Sequence, residues 1–149
     1  MEIERKFLIP SLPNDLSTYE HHHIEQGYLC TAPVVRIRKE DDLYYMTYKS
    51  KGMMVREEYN LPLTKESYKH LKPKADGIVI SKTRYLIPYN EVLTIELDVF
   101  HDDYEGLWLA EVEFDSEEAA NAFQPPVWFG EDVTFDGRYH NSTMSKKQF

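Results

Sequence analysis

With 149 residues, 42% of them apolar, the chain is long enough for one domain with a real core and too apolar to be disordered. A net charge of −9 excludes a broad basic surface for nucleic acid, although a cleft can still carry a local positive field. A lone cysteine, Cys30, cannot form an intrachain disulfide, no apolar run approaches the roughly 20 residues that cross a bilayer, and no basic-then-apolar leader is present. The expectation is therefore a single soluble, cytoplasmic domain over 1–149, with no membrane or nucleic-acid partner.

The chain opens on Met-Glu-Ile-Glu-Arg-Lys. Residues 2–8 read as a strand in which Glu2, Glu4 and Lys6 share one face. A helix is predicted near 13–20, and strands over 27–31, 34–40, 43–50 and 53–62. The histidines 21–23 between that helix and the first of these strands read as surface residues, and Cys30 as buried. Thr64 is placed to cap a helix running to about Leu71, before Pro73. Strands follow over 78–89, 92–100 and 107–114. A last helix starts at Asp115 or Ser116 and stops at Pro125-Pro126, after which Trp128 and Phe129 read as packing. The links at 41–42, 50–52, 88–91 and 104–106 are too short for anything but chain reversal, so neighbouring strands are expected to be antiparallel.

The polar faces of these strands are unusual. Arg36 alternates with Arg38, Arg56 with Glu58, Lys82 with Arg84, Glu96 with Asp98, and Glu111 with Glu113. A solvated sheet face would mix in Ser, Thr, Asn and Gln, whereas here nearly every position is a full charge. The alternative is the lumen of a closed, eight-stranded antiparallel barrel, with apolar residues outward and helices packed outside (mainly β, α+β). Seven acids (the five just named with Glu2 and Glu4) face seven bases (the five just named with Lys6 and Lys49), so the empty lumen is expected to balance its own charge. Such a lumen suits a polyanion escorted by hard cations. A triphosphate carries about −4 to −5 near neutral pH, arginine grips phosphate oxygens in pairs, and carboxylates are the usual ligands of Mg²⁺ or Mn²⁺. Nothing has the spacing of a zinc site.

The same residues resemble, motif by motif, the CYTH superfamily, the triphosphate tunnel metalloenzymes. The likeness starts at Glu2-x-Glu4-x-Lys6 and runs through Gln26-Gly27-Tyr28-Leu29, Arg36-Ile37-Arg38, Tyr48-Lys49, Arg56-Glu57-Glu58-Tyr59, Lys82-Thr83-Arg84-Tyr85, Glu96-Leu97-Asp98 and Glu111-Val112-Glu113. It ends on Arg138-Tyr139-x-Asn141, in a short terminal helix that would close one tunnel mouth. The resemblance implies a metal-dependent triphosphatase similar to short bacterial tripolyphosphatases. In it Lys6, Arg36, Arg38, Lys49, Arg56, Lys82 and Arg84 hold the phosphate chain, and Glu2, Glu4, Glu58, Asp98, Glu111 and Glu113 hold metal. Asn60 stands where the family often has another acid, and is left off that set. Lys82, its pKa lowered among other cations, is expected to act on the attacking water, with Tyr28 orienting it. The expected substrate is inorganic tripolyphosphate. Alternatives are a class IV adenylyl cyclase, a thiamine triphosphatase, a nucleoside or RNA triphosphatase, and a polyphosphate binder without turnover.

Overall fold

A computed structural model describes residues 1–146. Nine antiparallel strands run β1 (Glu2–Leu8), β2 (Glu20–Thr31), β3 (Val34–Glu40), β4 (Leu43–Lys49), β5 (Val55–Arg56), β6 (Glu58–Pro62), β7 (Asp76–Pro88), β8 (Thr94–Phe100) and β9 (Trp108–Glu113), with helices α1 (Lys65–Leu71), α2 (Glu117–Ala122) and α3 (Asn141–Met144). The strand order is β5-β1-β9-β8-β7-β2-β3-β4-β6. The two outermost strands are consecutive in sequence. β5 pairs with β1 and β6 with β4, so the sheet closes through Glu57. The ninth strand is the expected 53–62 segment broken at this corner.

Other boundaries differ more. Only Leu16–Thr18 form a 3₁₀ turn where a helix was expected over 13–20. β2 begins at Glu20 instead of residue 27, which places His21, His22 and His23 inside a strand. Pairing overrides propensity here: every residue from Glu20 to Gln26 has a partner on β7. Cys30 is exposed, against the expectation of burial. α1 starts as anticipated, with a reciprocal capping box between Thr64 and Ser67.

The outward face of β1, β7, β8 and β9 packs Ile3, Phe7, Ile87, Ile95, Leu97 and Val112 against Ala120, Phe123 and Phe129 of α2 and the segment after it. Trp128 packs on the same cluster. The inward face is not charged along its whole length. Towards one end its residues become Tyr28, Val34, Ile80, Phe100 and Leu109, which meet Val133 and Met144 from the C-terminal segment. That segment is stitched to the barrel: Ile78 N–H donates to Ser145 C=O at 2.7 Å, and Gly77, at φ +66°, lies so close that a Cβ there would fall 2.0 Å from the same oxygen. The barrel is a cup, charged above and apolar at its base.

Candidate active site

The period of two carries the charged residues to the same space from strands all round the barrel. Twelve of the residues singled out from sequence line one cavity: Glu2, Glu4, Lys6, Tyr28, Arg36, Arg38, Lys49, Arg56, Glu58, Lys82, Arg84 and Glu111. Glu96, Val34, Asn141 and Ser142 join them. Asp98 does not line the cavity, and Glu113 sits at an exposed rim groove with Met1 and Glu96. The lining thus holds seven bases against five acids, with Asp98 packed behind Lys82 and Arg84 and Glu113 at the rim.

One half of the site is a tightly paired block. Asp98 is fully buried beside Arg84, its register partner on β7. Arg84 Nε donates to Asp98 Oδ1 at 2.7 Å and Nη2 to Oδ2 at 2.9 Å, while Lys82 Nζ lies 2.7 Å from Oδ2. Both carboxylate oxygens are therefore committed to cations, which makes Asp98 a counter-ion for Lys82 and Arg84, not the metal ligand expected. Burial would raise its pKa; Arg84 and Lys82 overrule it and hold it below the usual range. Arg84 also reaches Glu96 at 3.0 Å and Glu111 at 3.3 Å. Glu111 completes its contacts with Lys6 at 3.3 Å, and against burial the cations Lys6, Arg84 and Lys82 keep it ionised.

Lys82 is 1% exposed. Its pKa is lowered to about 7, first by burial and then by Arg84, against the pull of Asp98. The direction is the expected one, but desolvation, not neighbouring cations, is its main cause. Lys82 Nζ also donates to Asn141 Oδ1 at 3.0 Å, and Gln26 Nε2 donates to the same oxygen at 2.8 Å. Gln26 is held in turn by Arg38, whose Nε and Nη2 donate to its Oε1 at 2.9 and 2.6 Å. Tyr28 Oη accepts from Gln26 Nε2 at 3.4 Å. Gln26 and Asn141 were visible in the sequence only as members of motifs. Their role depends on α3 folding back across 115 residues of chain to meet β2.

The other half of the site is under-paired in both signs. Arg36 donates from Nη2 to Thr47 at 3.1 Å, yet its Nε is buried without a partner among the described residues, and so is that of Arg56. Among the acids, Lys49 Nζ donates to Glu2 Oε2 at 3.0 Å but meets Oε1 at too poor an angle to hydrogen-bond it, leaving Oε1 without a donor. The Glu4 backbone N–H donates to Met54 C=O at 3.1 Å, but its carboxylate has no hydrogen-bond or ion-pair partner among the described residues. Its pKa is raised to about 8, by burial first, then by Glu111 and Glu2. Burial and Glu58 raise Glu2; burial with Glu2, Glu58 and Glu96 raises Glu113. Glu58, close to Lys49 at 3.4 Å, is lowered despite its burial. Glu4 lacks a paired cation, Glu2 shares Lys49 with Glu58, and Arg36 and Arg56 each keep an N–H without an acceptor among the described residues. Among the described residues no three acids or histidines are grouped to cage a bare metal ion. Mg²⁺ needs no such cage: it keeps several waters and is held by one or two carboxylates together with substrate phosphates. Glu4, whose carboxylate has no ion-pair partner among the described residues, and the neighbouring Glu2, which keeps one oxygen without a hydrogen-bond donor, fit such an ion.

Comparison with known proteins places the chain in one family. The model of the CYTH domain matches residues 1–146. An inorganic triphosphatase of Nitrosomonas europaea is 42% identical over 149 residues, covering 97% of this chain and 96% of the relative. An inorganic triphosphatase of Acetivibrio thermocellus is 36% identical over 153 residues, covering 99% and 95%. A crystal structure of an inorganic triphosphatase superposes with a TM-score of 0.74 at 38% identity over 99% of this chain and 96% of the other. A Hippeastrum protein described as a putative adenylyl cyclase with a dominant triphosphatase activity shares the fold, with a TM-score of 0.64 at 17% identity over 81% of this chain and 83% of that one.

Proposed function

The chain belongs to the CYTH domain family, and from that premise we propose that it hydrolyses the terminal phosphoanhydride of inorganic tripolyphosphate, releasing pyrophosphate and orthophosphate. The observation that carries this reading is the coexistence, in one buried cavity, of arginines with idle donors and a carboxylate, Glu4, without an ion-pair partner among the described residues. A polyanion bound with divalent cations satisfies both deficits at once. Relatives of similar length over nearly the whole chain are inorganic triphosphatases, which favours this substrate over ATP or thiamine triphosphate.

In this reading Arg36, Arg38, Arg56, Lys6, Lys49 and Arg84 position the phosphate chain, and Glu2, Glu4, Glu58 and Glu111, with Glu113 at the rim, hold Mg²⁺ or Mn²⁺. The metal, when bound, neutralises charge on the phosphoryl oxygens and so lowers the barrier to attack. The protein supplies the rest. Burial and Arg84 lower the pKa of Lys82 enough for a neutral amine to exist near pH 7. Neutral Lys82 accepts a proton from water as the oxygen bonds to the terminal phosphorus. The bridging P–O bond breaks, pyrophosphate leaves, and Lys82 then returns the proton to solvent. Tyr28, lining the same cavity, is placed to orient the water.

The test is orthophosphate release from tripolyphosphate, ATP and thiamine triphosphate, with Mg²⁺, with Mn²⁺ and with a chelator. Tripolyphosphate should have the highest kcat/KM and chelation should abolish turnover. Pyrophosphate and cyclic AMP formed from ATP would identify a cyclase instead. Tight tripolyphosphate binding without turnover would leave a binding protein.

A further inference from the structure

Beside the cup lies a second slot, of about 190 Å³, walled by the β2–β3 link, the loop from Ser50 to Met53 and C-terminal residues 137–143. It shares Val34, Arg56 and Ser142 with the cup. Its charged or titratable lining is Lys51, Arg56 and His140, accompanied by the hydroxyls of Thr31, Ser50, Ser142 and Thr143, with no carboxylate among the lining residues. In a chain whose net charge is −9, and next to a cup holding five glutamates, such a lining is a departure. Arg56 joins the two spaces. Its Nη2 lies 3.4 Å from His140 Nδ1, and its Nε is buried with no partner among the described residues. His140 Nε2 faces Thr134 C=O at 3.3 Å, which makes Nε2 the donor and leaves Nδ1 as the lone-pair nitrogen that accepts from Arg56. A guanidinium with one N–H left without an acceptor among the described residues, beside lining hydroxyls and no lining carboxylate, has the chemistry that recognises a phosphoryl group.

We propose that this slot is a second phosphoryl-anion subsite, continuous with the cup through Arg56. It takes either the fourth phosphate of a longer linear polyphosphate or the orthophosphate released by turnover. The proposal rests on the triphosphate reading of the cup and adds to it a preference for chain length or a point of product retention.

Lys51 is exposed and outside the cup, so its charge can be reversed without touching the catalytic machinery. The experiment compares Lys51→Glu with Lys65→Glu, an exposed control on α1. It measures kcat/KM for tripolyphosphate and the inhibition constants of tetrapolyphosphate and orthophosphate against it. Tripolyphosphate kcat/KM should match the control. Reversing one charge near a polyanion should weaken the subsite ligand about tenfold. A rise confined to tetrapolyphosphate identifies the fourth phosphate, and a rise for orthophosphate identifies the released ion. If neither constant moves, or if tripolyphosphate suffers equally, the subsite does not exist. Lys51→Ala should show the same pattern at smaller amplitude, which covers the case of a poorly folded glutamate variant. Calorimetric titration of orthophosphate into wild type and Lys51→Glu reads the slot without turnover. A wild type that binds orthophosphate through Lys51 but leaves tripolyphosphate intact would defeat the cup reading alone.

Discussion

Lys82 and Glu4 are the two groups whose buried charge is least at ease, and each leads to a measurable consequence. Lys82 can be a base or only a clamp. Lys82→Met keeps the bulk of the stem and removes the amine. If the amine accepts the proton, kcat should fall by about 10²-fold or more with little change in KM, as general-base contributions of that size imply. A rise in KM at unchanged kcat would make it a clamp. Glu4 is an opposite case. Folded Glu4 keeps its proton to about pH 8, whereas the unfolded carboxyl loses it near 4.5. The native state therefore binds more protons in that window, and the contribution of Glu4 to stability falls as pH rises from 4.5 to 8 and is flat above. Glu4→Gln should stabilise the metal-free protein above pH 8 by on the order of 2–4 kcal/mol, less at pH 5, while abolishing metal-dependent turnover. Urea unfolding of both proteins at pH 5 and 9 without metal checks the sign. An equal difference at both values would mean that no desolvated carboxylate is at work.

At the scale of elements, strands with strict alternation are the legible ones. Glu2, Glu4 and Lys6 declare β1 because full charges repeating with a period of two share one face of a strand and are scattered around a helix. Asp98 shows where this stops. Alternation puts it on the inward face correctly, but whether it faces the cavity or its neighbour depends on the register of β8 against β7, which pairs it with Arg84. That register is set by the 89–93 link and the outward Ile87–Ile95 pairing, and no motif encodes it. Three histidines blur the apolar pattern at the start of β2, so its true beginning is not legible. Cys30 escapes the same pattern because β2 changes register around Tyr28. Asn141 is legible as part of a motif in a short terminal helix, but its contacts are not. Four residues of α3 give no periodic signal, yet they place the oxygen that takes both Lys82 and Gln26. Asn141→Ala should lower kcat several-fold with KM nearly unchanged, since it frees the Lys82 stem without removing a phosphate contact. In a Lys82→Met background the same substitution should have no further effect on kcat. An additive loss there would mean that Asn141 serves the fold and not Lys82.

For the whole molecule, the apolar base and the charged cavity divide labour. Phe100, Leu109, Val133 and Met144 fill one end of the lumen, so the fold does not depend on ion pairs for its closure, and the cavity can tolerate unmatched groups. Those unmatched groups make metal and anion mutually dependent. Tripolyphosphate alone meets the idle arginines but also the ionised Glu58 and Glu111; metal alone meets the acids but also the cations that line the same cavity. Each ligand screens what repels the other, so binding of one should tighten the other by the same factor, a reciprocity required by linkage. Saturation at about 100 times Kd adds about 2.7 kcal/mol to stability, which for a chain of this size corresponds to a rise in Tm of about 5–10 °C. Thermal melts with Mg²⁺ alone and with tripolyphosphate alone should each give small shifts, and the pair together should exceed their sum. A Lys82→Met protein suits the measurement, because substrate then survives it. If the two shifts simply add, cation and polyanion do not share this cavity, and the deficits of Glu4 and Arg56 are not those of one composite ligand.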